Sequence, residues 1–404
     1  MVLSARIYPP DRRVEREALD LIRDGHNLFL MVRRNPGQPK EEVVNGIHVL
    51  RVPLPFQRIK MLADLIYEAF QRYFIFFHIV AACRNYKIDA LHVHDLPYAF
   101  ATTLAGKILR LPVIFDMHEN YVVMRKTGIK AKGYRLLKPF LLVLMMLLRM
   151  EEKIACRWAR KVIVVAQEHI PRIVGLGVSR QDTLVVTNTE DIDYFTSIPI
   201  DKALIEKYRD DFVILYFGGL TTHRGLDTAI QAMPAVLEKI PNAKLLLVGR
   251  GYSQSDLENL SRDMGLDSKV LFIGLQPPQI LPTYIHLSNV GLIPHISTPH
   301  IETTMPNKIF QFMMLAKPVV VSSTKPMMRV VNDAQCGLIF TERDPESLAD
   351  TIGKLADRDL ASRLGENGRK AVIDRYNWQQ TVQVLLELYR LMQATAEPGG
   401  KPKQ

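Results

Sequence analysis

The sequence predicts an α/β protein of two doubly wound domains, each a parallel sheet covered by helices. Three observations carry this expectation. The chain has 404 residues, which at roughly 100 to 200 residues per domain suits two separate cores. Short apolar runs alternate with segments of helical periodicity along the whole length, the pattern of βα units. Glycines follow several of those runs, where a strand turns sharply into a helix.

The elements follow in order. The first residues, Met1-Val-Leu-Ser-Ala-Arg-Ile7, lack the leader of a secretory signal and read as a first strand. Residues 13–24 carry Val14, Ala18, Leu21 and Ile22 at helical spacing, with Gly25 as the stop. Strands are then expected at 28–32, 47–52, 90–93, 113–115, 162–165 and 183–186. The first domain is set at 1–195, because Phe195-Thr-Ser-Ile-Pro-Ile200 interrupts the periodicity near 193–201. The second is set at 196–375. It begins with a strand at 212–217, a Gly218-Gly219 turn and a helix with Leu226, Ile230, Met233 and Leu237 on one face. Strands at 244–248, 270–273, 290–293, 319–321 and 338–340 continue the repeat. The tail 395–404, with Glu397-Pro-Gly-Gly-Lys-Pro-Lys-Gln404, is expected to be disordered.

Composition excludes several classes. The chain is 48% hydrophobic and 23% charged, with 22 Gly and 24 Pro, ordinary globular proportions. Cys83, Cys156 and Cys336 form no Cys-x-x-Cys pair, so neither a zinc cage nor a disulfide framework is expected and a cytoplasmic location fits. The longest apolar stretch, 140–148, is far short of the roughly 20 residues of a membrane span.

The net charge of +10 is uneven: residues 1–190 hold 29 Lys+Arg against 18 Asp+Glu, leaving 23 against 24 for the rest. A basic first half points to nucleic acid, an anionic membrane surface or an acidic or phosphorylated substrate. No nucleic-acid partner is expected, since there is no aromatic-interleaved basic strand, zinc finger or zipper-linked basic helix. Two segments suit a membrane surface. In 56–87, Arg58, Lys60, Arg72, Arg84 and Lys87 interleave with Ile59, Leu62, Ile66, Phe70, Phe74, Phe77 and Val80. In 132–161, Tyr134, Leu137, Phe140, Leu144, Met145 and Leu148 run between Lys132, Arg135, Lys138 and Arg149. Such helices either lie in a membrane interface or cover a sheet with their lysines solvated, and both readings stand.

Three motifs sit at the carboxyl ends of strands in the second half. In Tyr216-Phe-Gly-Gly-Leu-Thr-Thr-His-Arg-Gly225, the glycines let backbone approach a phosphate and Arg224 can neutralise it. Leu247-Val-Gly-Arg-Gly251 and Phe272-Ile-Gly274 place glycines where backbone can meet a nucleobase, or are simply tight turns. The third runs from Pro299-His-Ile-Glu302-Thr-Thr-Met-Pro306-Asn-Lys308 through Gln311 to Lys317-Pro-Val. Pro306 suits a first helical turn whose free N–H groups would form an anion site. Lys308 and Gln311, three apart, share a helix face.

With these residues the sequence resembles the retaining GT-B glycosyltransferases of family 4, the glycosyl transferase group 1 proteins. Pro306 to Val319 is similar to their Pro-Asn-Lys-Leu-Phe-Glu-Tyr-Met-Ala-x-Gly-Lys-Pro-Val. Tyr8-Pro-Pro-Asp11-Arg-Arg-Val14 with Gly25-His26, His92-Val-His94-Asp95-Leu-Pro97, Phe115-Asp-Met-His118-Glu119, Asn188 with Asp191, and Tyr376-Asn-Trp378 resemble further family motifs. The resemblance implies two Rossmann-like domains facing across a cleft, with a final helix, 376–394, crossing back to the first.

It also implies roles. His118 would contact the transferred sugar, and Arg224, where the family usually has Lys, would pair with the donor diphosphate beside Lys308. Gly218, Gly219, Gly249, Gly274, Glu302, Thr303 and Gln311 would bind the donor. Asp11, Arg12, Arg13, His94, Asp95 and Glu119 would line the acceptor side. Three positions depart from the pattern. Gly219 stands where the family has Arg, Gln311 replaces the second of two glutamates spaced eight apart, and Glu302 is one position out of register, leaving Thr303 there. His92 reads as pointing into the sheet. His94-Asp95 and His118-Glu119 lack ligand spacing such as His-x-x-x-His, so no metal and no cofactor is expected.

The implied function is retaining transfer from a nucleotide-diphosphate sugar to a glycan or lipid-linked acceptor, in polysaccharide or glycolipid synthesis. The protein is expected to be cytoplasmic, at the inner face of the membrane if peripheral contact occurs. A nucleotide-sugar epimerase and a non-catalytic nucleotide-binding subunit are the alternatives.

Overall fold

The computed structural model describes residues 1–4, 8–9, 11–53, 62–131 and 138–396. Residues 5–7 of the expected first strand and 397–404 of the tail lie outside them. The chain forms two compact units, Met1–Thr187 with Val382–Gln404, and Asn188–Thr381.

Unit 1 holds an eight-stranded sheet made of β1 (Val2–Leu3), β2 (Phe29–Arg33), β3 (Glu41–Val44), β4 (Ile47–Val52), β5 (Leu91–His94), β6 (Val113–Met117), β7 (Lys161–Val164) and β8 (Thr183–Val185). Their order is β3-β4-β2-β1-β5-β6-β7-β8. Every pair is parallel except β3 with β4. That hairpin turns at Asn45-Gly46, with φ of 52° and 86°, the left-handed pair a two-residue turn requires. The doubly wound reading misses β3 because Glu41-Glu42 supplies no apolar run and the strand lies at the sheet edge.

Helices α1 (Arg12–Arg23), α2 (Leu62–Asn85), α3 (Leu96–Leu109), α4 (Tyr121–Ala131), α5 (Lys138–Trp158) and α6 (Ile170–Gly175) complete this part. Asp11 caps α1 by accepting the Val14 N–H at 3.2 Å, and its apolar stripe, Val14, Ala18 and Leu21, is fully buried. The middle helix α3 packs against both α2 and α5.

Unit 2 contains α7 (Ile192–Ser197), α8 (Lys202–Lys207), β9 (Phe212–Phe217), α9 (Leu226–Lys239), β10 (Ala243–Val248), α10 (Gln254–Asp263), β11 (Val270–Gly274), α11 (Leu281–Leu287), β12 (Val290–Ile293), α12 (Lys308–Met314), β13 (Val319–Ser322), α13 (Lys325–Ala334), β14 (Gly337–Phe340), α14 (Pro345–Lys354) and α15 (Arg358–Asp374). Its six strands are all parallel, in the order β11-β10-β9-β12-β13-β14. The order reverses between β9 and β12, and open sheets take ligands beyond the carboxyl ends of their strands at such a reversal. The stretch read as an interruption near 193–201 contains a short helix, α7, capped by Asp191 with Phe195 buried inward.

The last helix, α16 (Trp378–Ala396), returns the chain to unit 1 from Val382 onward. There Arg390 ion-pairs with Asp24 and Tyr389 stands edge-on to His26 at 5.1 Å.

Candidate functional site

In unit 2 the strand ends bring backbone and cations together. Gly218 follows β9 with φ +131°, and a Cβ there would lie 3.0 Å from Lys308 Nζ. Gly249 follows β10 with φ +140°, and a Cβ there would lie 2.0 Å from the Gly218 carbonyl oxygen. Only glycine allows this approach. The Gly218 N–H donates to Val248 O at 2.8 Å and the Gly249 N–H to Gly274 O at 2.9 Å, so both amides are already committed. Gly219 accepts from Tyr216 Oη at 2.8 Å, and beside it there is space: a Cβ would meet only Thr221 Cγ2, at 3.8 Å.

Lys308 is buried with its ammonium 4.0 Å above the Tyr216 ring centroid. It makes no hydrogen bond or ion pair among the described residues. Burial, and then the Arg224 charge, hold its pKa well below the usual lysine value. Arg224 Nη1 donates to His295 Nε2 at 3.0 Å, while its buried Nε has no partner. Burial and Arg224 hold His295 far below the usual histidine value. Burial and neighbouring cationic groups lower His223 and His300 to about 4. Arg224 and the Lys308 amine thus stand among three neutral histidines, and neither basic group has a carboxylate partner among the described residues. An anion is what this arrangement lacks.

The other donor-side residues are engaged elsewhere. Gln311 is buried and its Nε2 donates to Glu190 Oε2 at 2.8 Å. Glu302 accepts from Ser297 Oγ at 2.7 Å and from the Lys325 N–H at 3.2 Å. Thr303 Oγ1 donates to Pro299 O at 2.9 Å and His300 O at 3.1 Å. Pro306 lies outside α12, which starts at Lys308 and has seven residues, so the proline is not in the expected first helical turn. Residues 301–303 take a 3-10 turn, Thr304 returns to extended backbone, and the helix begins after Asn307.

In unit 1 the ends of β5 and β6 and the start of α1 bring Arg13, Glu17, His92, His94, Asp95, Asp116 and His118 together. Arg13 Nη2 donates to both Asp116 oxygens, at 3.2 and 3.1 Å, and Arg13 Nη1 to Val186 O at 3.1 Å. Arg13 Nε is 3.0 Å from Glu17 Oε1. His92 and His94, two apart on β5, share a face of the sheet and stack at 4.4 Å. His94 Nδ1 faces His118 Nε2 at 3.2 Å, and His92 Nδ1 faces Tyr389 Oη at 3.0 Å. Asp95 has φ 64°, and its Oδ1 accepts the His118 N–H at 3.1 Å while Oδ2 lies 3.5 Å from His118 Nδ1.

Charge in this cluster is balanced. Burial opposes ionisation of Asp116, but Arg13 and His118 outweigh it and hold its pKa well below the carboxylate range. Burial likewise disfavours the His118 cation, yet Asp95 and Asp116 lift His118 to about 9. Glu17 is pushed up to about 8 by burial and by Asp116. Burial lowers both His92 and His94. The result at neutral pH is an imidazolium, His118, whose side chain is 19% exposed, mounted on a buried polar base.

Of the acceptor-side residues, Arg13, His94 and Asp95 join His118, with Arg13 and His94 buried beneath it. Asp11 caps α1, and Arg12 and Glu119 are half-buried. His92 does lie against the sheet, within this network. Glu17, Asp116 and Tyr389 were not singled out from sequence. Glu17 did carry a signal, an acid on the apolar stripe of α1 four residues after Arg13. Asp116 carried another, a lone acid in the run Val113-Ile-Phe-Asp-Met.

A third feature is a surface. α2 exposes Phe74 and Phe77, and α5 exposes Leu142, Val143, Met146 and Met150. Tyr73 Oη of α2 donates to Glu151 Oε1 of α5 at 2.7 Å, joining the two helices. Among their described side chains the exposed charges are Arg84, Arg149, Lys153 and Arg157, all basic. Arg58, Ile59, Lys60, Lys132, Tyr134, Arg135 and Leu137 of the two basic segments lie outside the described residues. Among those described, no helix is long and apolar enough to cross a membrane.

Both halves match known families. Residues 197–371 match the glycosyl transferases group 1, and residues 10–189 match the glycosyl transferase 4-like domain. An uncharacterized glycosyltransferase of Methanocaldococcus jannaschii is 23% identical over 92% of this chain and 91% of its own. The capsular polysaccharide biosynthesis glycosyltransferase CapM of Staphylococcus aureus is 25% identical over 65% of this chain and 68% of its own. Among solved structures, a sucrose-phosphate synthase from Thermosynechococcus elongatus has the same fold, with TM-score 0.77 and 20% identity over 98% of this chain and 99% of that one. With two Rossmann-like domains matched on either side of residue 190, the chain belongs to the GT-B glycosyltransferases of group 1.

Proposed function

We propose that the protein transfers a sugar from a nucleotide-diphosphate donor, with retention at the anomeric carbon, to a glycan or lipid-linked acceptor at the cytoplasmic face of an anionic membrane. The observation that carries this reading is the pair Arg224 and Lys308, two basic groups without acidic partners among the described residues at the strand reversal of unit 2, where a diphosphate would favour the Lys308 ammonium. A departing diphosphate fits there. Transfer without a covalent intermediate depends on positioning and on charge at the leaving group. Arg224 and Lys308 supply that charge, so added divalent cations do not raise the rate.

His118 acts as a hydrogen-bond donor to a sugar hydroxyl rather than as a base, since its pKa near 9 keeps it charged. Arg13, His94 and Asp95 hold it in place, and Asp11, Arg12 and Glu119 flank the acceptor. On the donor side, Gly218, Gly219, Gly249 and Gly274 let the nucleotide approach the backbone. Glu302 and Thr303 shape the sugar loop, and Gln311 with Glu190 addresses the ribose. The basic, apolar outer face of α2 and α5 rests on the membrane and presents the acceptor lipid.

The test is thermal stabilisation by a panel of nucleoside diphosphates, followed by anomeric analysis of the product by NMR. One diphosphate should raise the melting temperature of the wild type and not of Arg224→Ala. No stabilisation at millimolar ligand, or a product of inverted configuration, would overturn the reading.

A further inference from the structure

Unit 1 buries more hydrogen-bonding capacity than it uses, and the surplus meets at one point. Glu17 on α1, His92 and His94 on β5, and Asp116 on β6 are each at most 1% exposed. Each offers a ligand atom, and these atoms all lie within 4.8 Å of one another. The Nε2 atoms of His92 and His94 and Glu17 Oε2 are buried without a hydrogen-bond partner, while Glu17 Oε1 faces Arg13 Nε at 3.0 Å. Buried polar groups are rarely left so, and several in one place call for something that binds them.

The orientation of the two imidazoles identifies what that is. Each uses Nδ1 outward, His92 toward Tyr389 Oη at 3.0 Å and His94 toward His118 Nε2 at 3.2 Å. Metal-ligating histidines are held this way, one nitrogen on a fixed partner and the other on the ion. Asp116 closes the cluster. Arg13 Nη2 reaches both of its oxygens, Oδ1 at 3.2 Å and Oδ2 at 3.1 Å, and Oδ2 also faces His92 Nε2 at 3.8 Å, His94 Nδ1 at 3.7 Å and His118 Nε2 at 3.5 Å, so a ligand role leaves Arg13 on Oδ1. An ion would displace the Glu17 proton and one from the His94–His118 pair, after which two neutral imidazoles and two carboxylates form a donor set for zinc and related ions. Bonds of about 2.0–2.1 Å put tetrahedral ligands roughly 3.3 Å apart, a contraction that side-chain rotation can supply.

We propose that Glu17, His92, His94 and Asp116 form a buried structural site for a divalent transition-metal ion of the zinc class, pinning α1 to β5 and β6. The site lies wholly in unit 1 and has no exposed ligand, so its ion takes no part in neutralising a diphosphate. The two carboxylates offset the charge of the ion, and Arg13 stays on Asp116. Tyr389 is a positioning residue that fixes the His92 ring.

The experiment uses the untagged full chain. Zinc content is measured after extensive dialysis, and binding of Zn2+ and Co2+ to the metal-depleted protein is followed by calorimetry and by visible absorption. One zinc per chain is expected, with a Co2+ spectrum of tetrahedral type that Zn2+ abolishes. Glu17→Gln should weaken binding at least tenfold. Tyr389→Phe, which touches no ion, should weaken it about 10- to 100-fold. His223→Ala, in unit 2, should leave it unchanged. A chain that holds far less than one zinc and gives no visible Co2+ bands overturns the proposal. So does zinc binding indifferent to both Glu17→Gln and Tyr389→Phe. If Glu17→Gln does not fold, the Tyr389→Phe affinity decides.

Discussion

Replacing Gln311 by Glu tests whether the pairing with Glu190 explains the missing carboxylate of α12. In the wild type an amide N–H meets Glu190 Oε2 at 2.8 Å, with both side chains buried. Two carboxylates at that distance would repel by about 6 kcal/mol at an effective dielectric near 20. Taking up a proton costs less, about 1.4 kcal/mol for each unit between pH 7 and an ordinary glutamate near 4.3, or about 3.7 kcal/mol. The protonated acid then donates an O–H in place of the lost N–H, so the net loss at pH 7 is about 3–4 kcal/mol. At about 2–4 °C per kcal/mol for a unit of this size, the melting temperature should fall by about 6–16 °C. The sign follows from linkage. The carboxyl has its folded pKa raised, so the deficit is small near pH 4–5, about 1 kcal/mol at pH 5, and grows as pH rises. Thermal melts of wild type and Gln311→Glu at pH 5 and 7.5 measure it. A variant as stable as wild type at pH 7.5, or a deficit that ignores pH, would refute the reasoning.

Four further outcomes are expected. Diphosphate binding favours the Lys308 ammonium, whose pKa is depressed in the free protein, so calorimetry should show proton uptake and affinity falling from pH 7 to 9. Lys308→Met should weaken binding about 10- to 100-fold and flatten that dependence. His118 is lifted from 6.5 to about 9, so it stabilises the fold by up to about 3 kcal/mol below pH 6.5, lost as pH rises through 9. The stability gap between wild type and His118→Gln should close accordingly in denaturant titrations. Phe77 and Leu142 are 66% and 71% exposed, and the double variant Phe77→Ser, Leu142→Ser should keep its melting temperature but sediment with anionic vesicles at least tenfold less. Equal binding to neutral vesicles would sink the membrane reading. Gly249→Ala should destabilise the protein by several kcal/mol, about 3 or more, because its Cβ would overlap the Gly218 carbonyl. Chemical denaturation checks this.

Much of the fold was legible because parallel strands buried on both faces must be apolar throughout. Phe212–Phe217 and Val290–Ile293 announce themselves in that way. The edge hairpin was not legible by the same logic, since Glu41–Val44 alternates exposed and half-buried side chains. Its one sign was Asn45-Gly46. Arg224, Lys308 and His118 could be singled out as candidates because their motifs are local in sequence. The partners of Gln311 and His92 are 121 and 297 residues away, and no periodicity reaches that far. Pro306 falls one position before the cap residue Asn307, since a favourable first-turn residue does not by itself fix where a helix starts.

The placement of α16 sets an order on biosynthesis. Tyr389 and Arg390 serve unit 1 from a point beyond the whole of unit 2. At about 5–20 residues per second, a ribosome needs roughly 10–40 s to pass from Thr187 to α16. During that interval unit 1 waits without the helix that buries Val382, Leu385, Leu386 and Leu388, while the contiguous unit 2 has all its residues before α16 is finished. The second half of the chain is therefore free to fold first, and the nascent first half, still lacking its last helix, is the part on which chaperones would act.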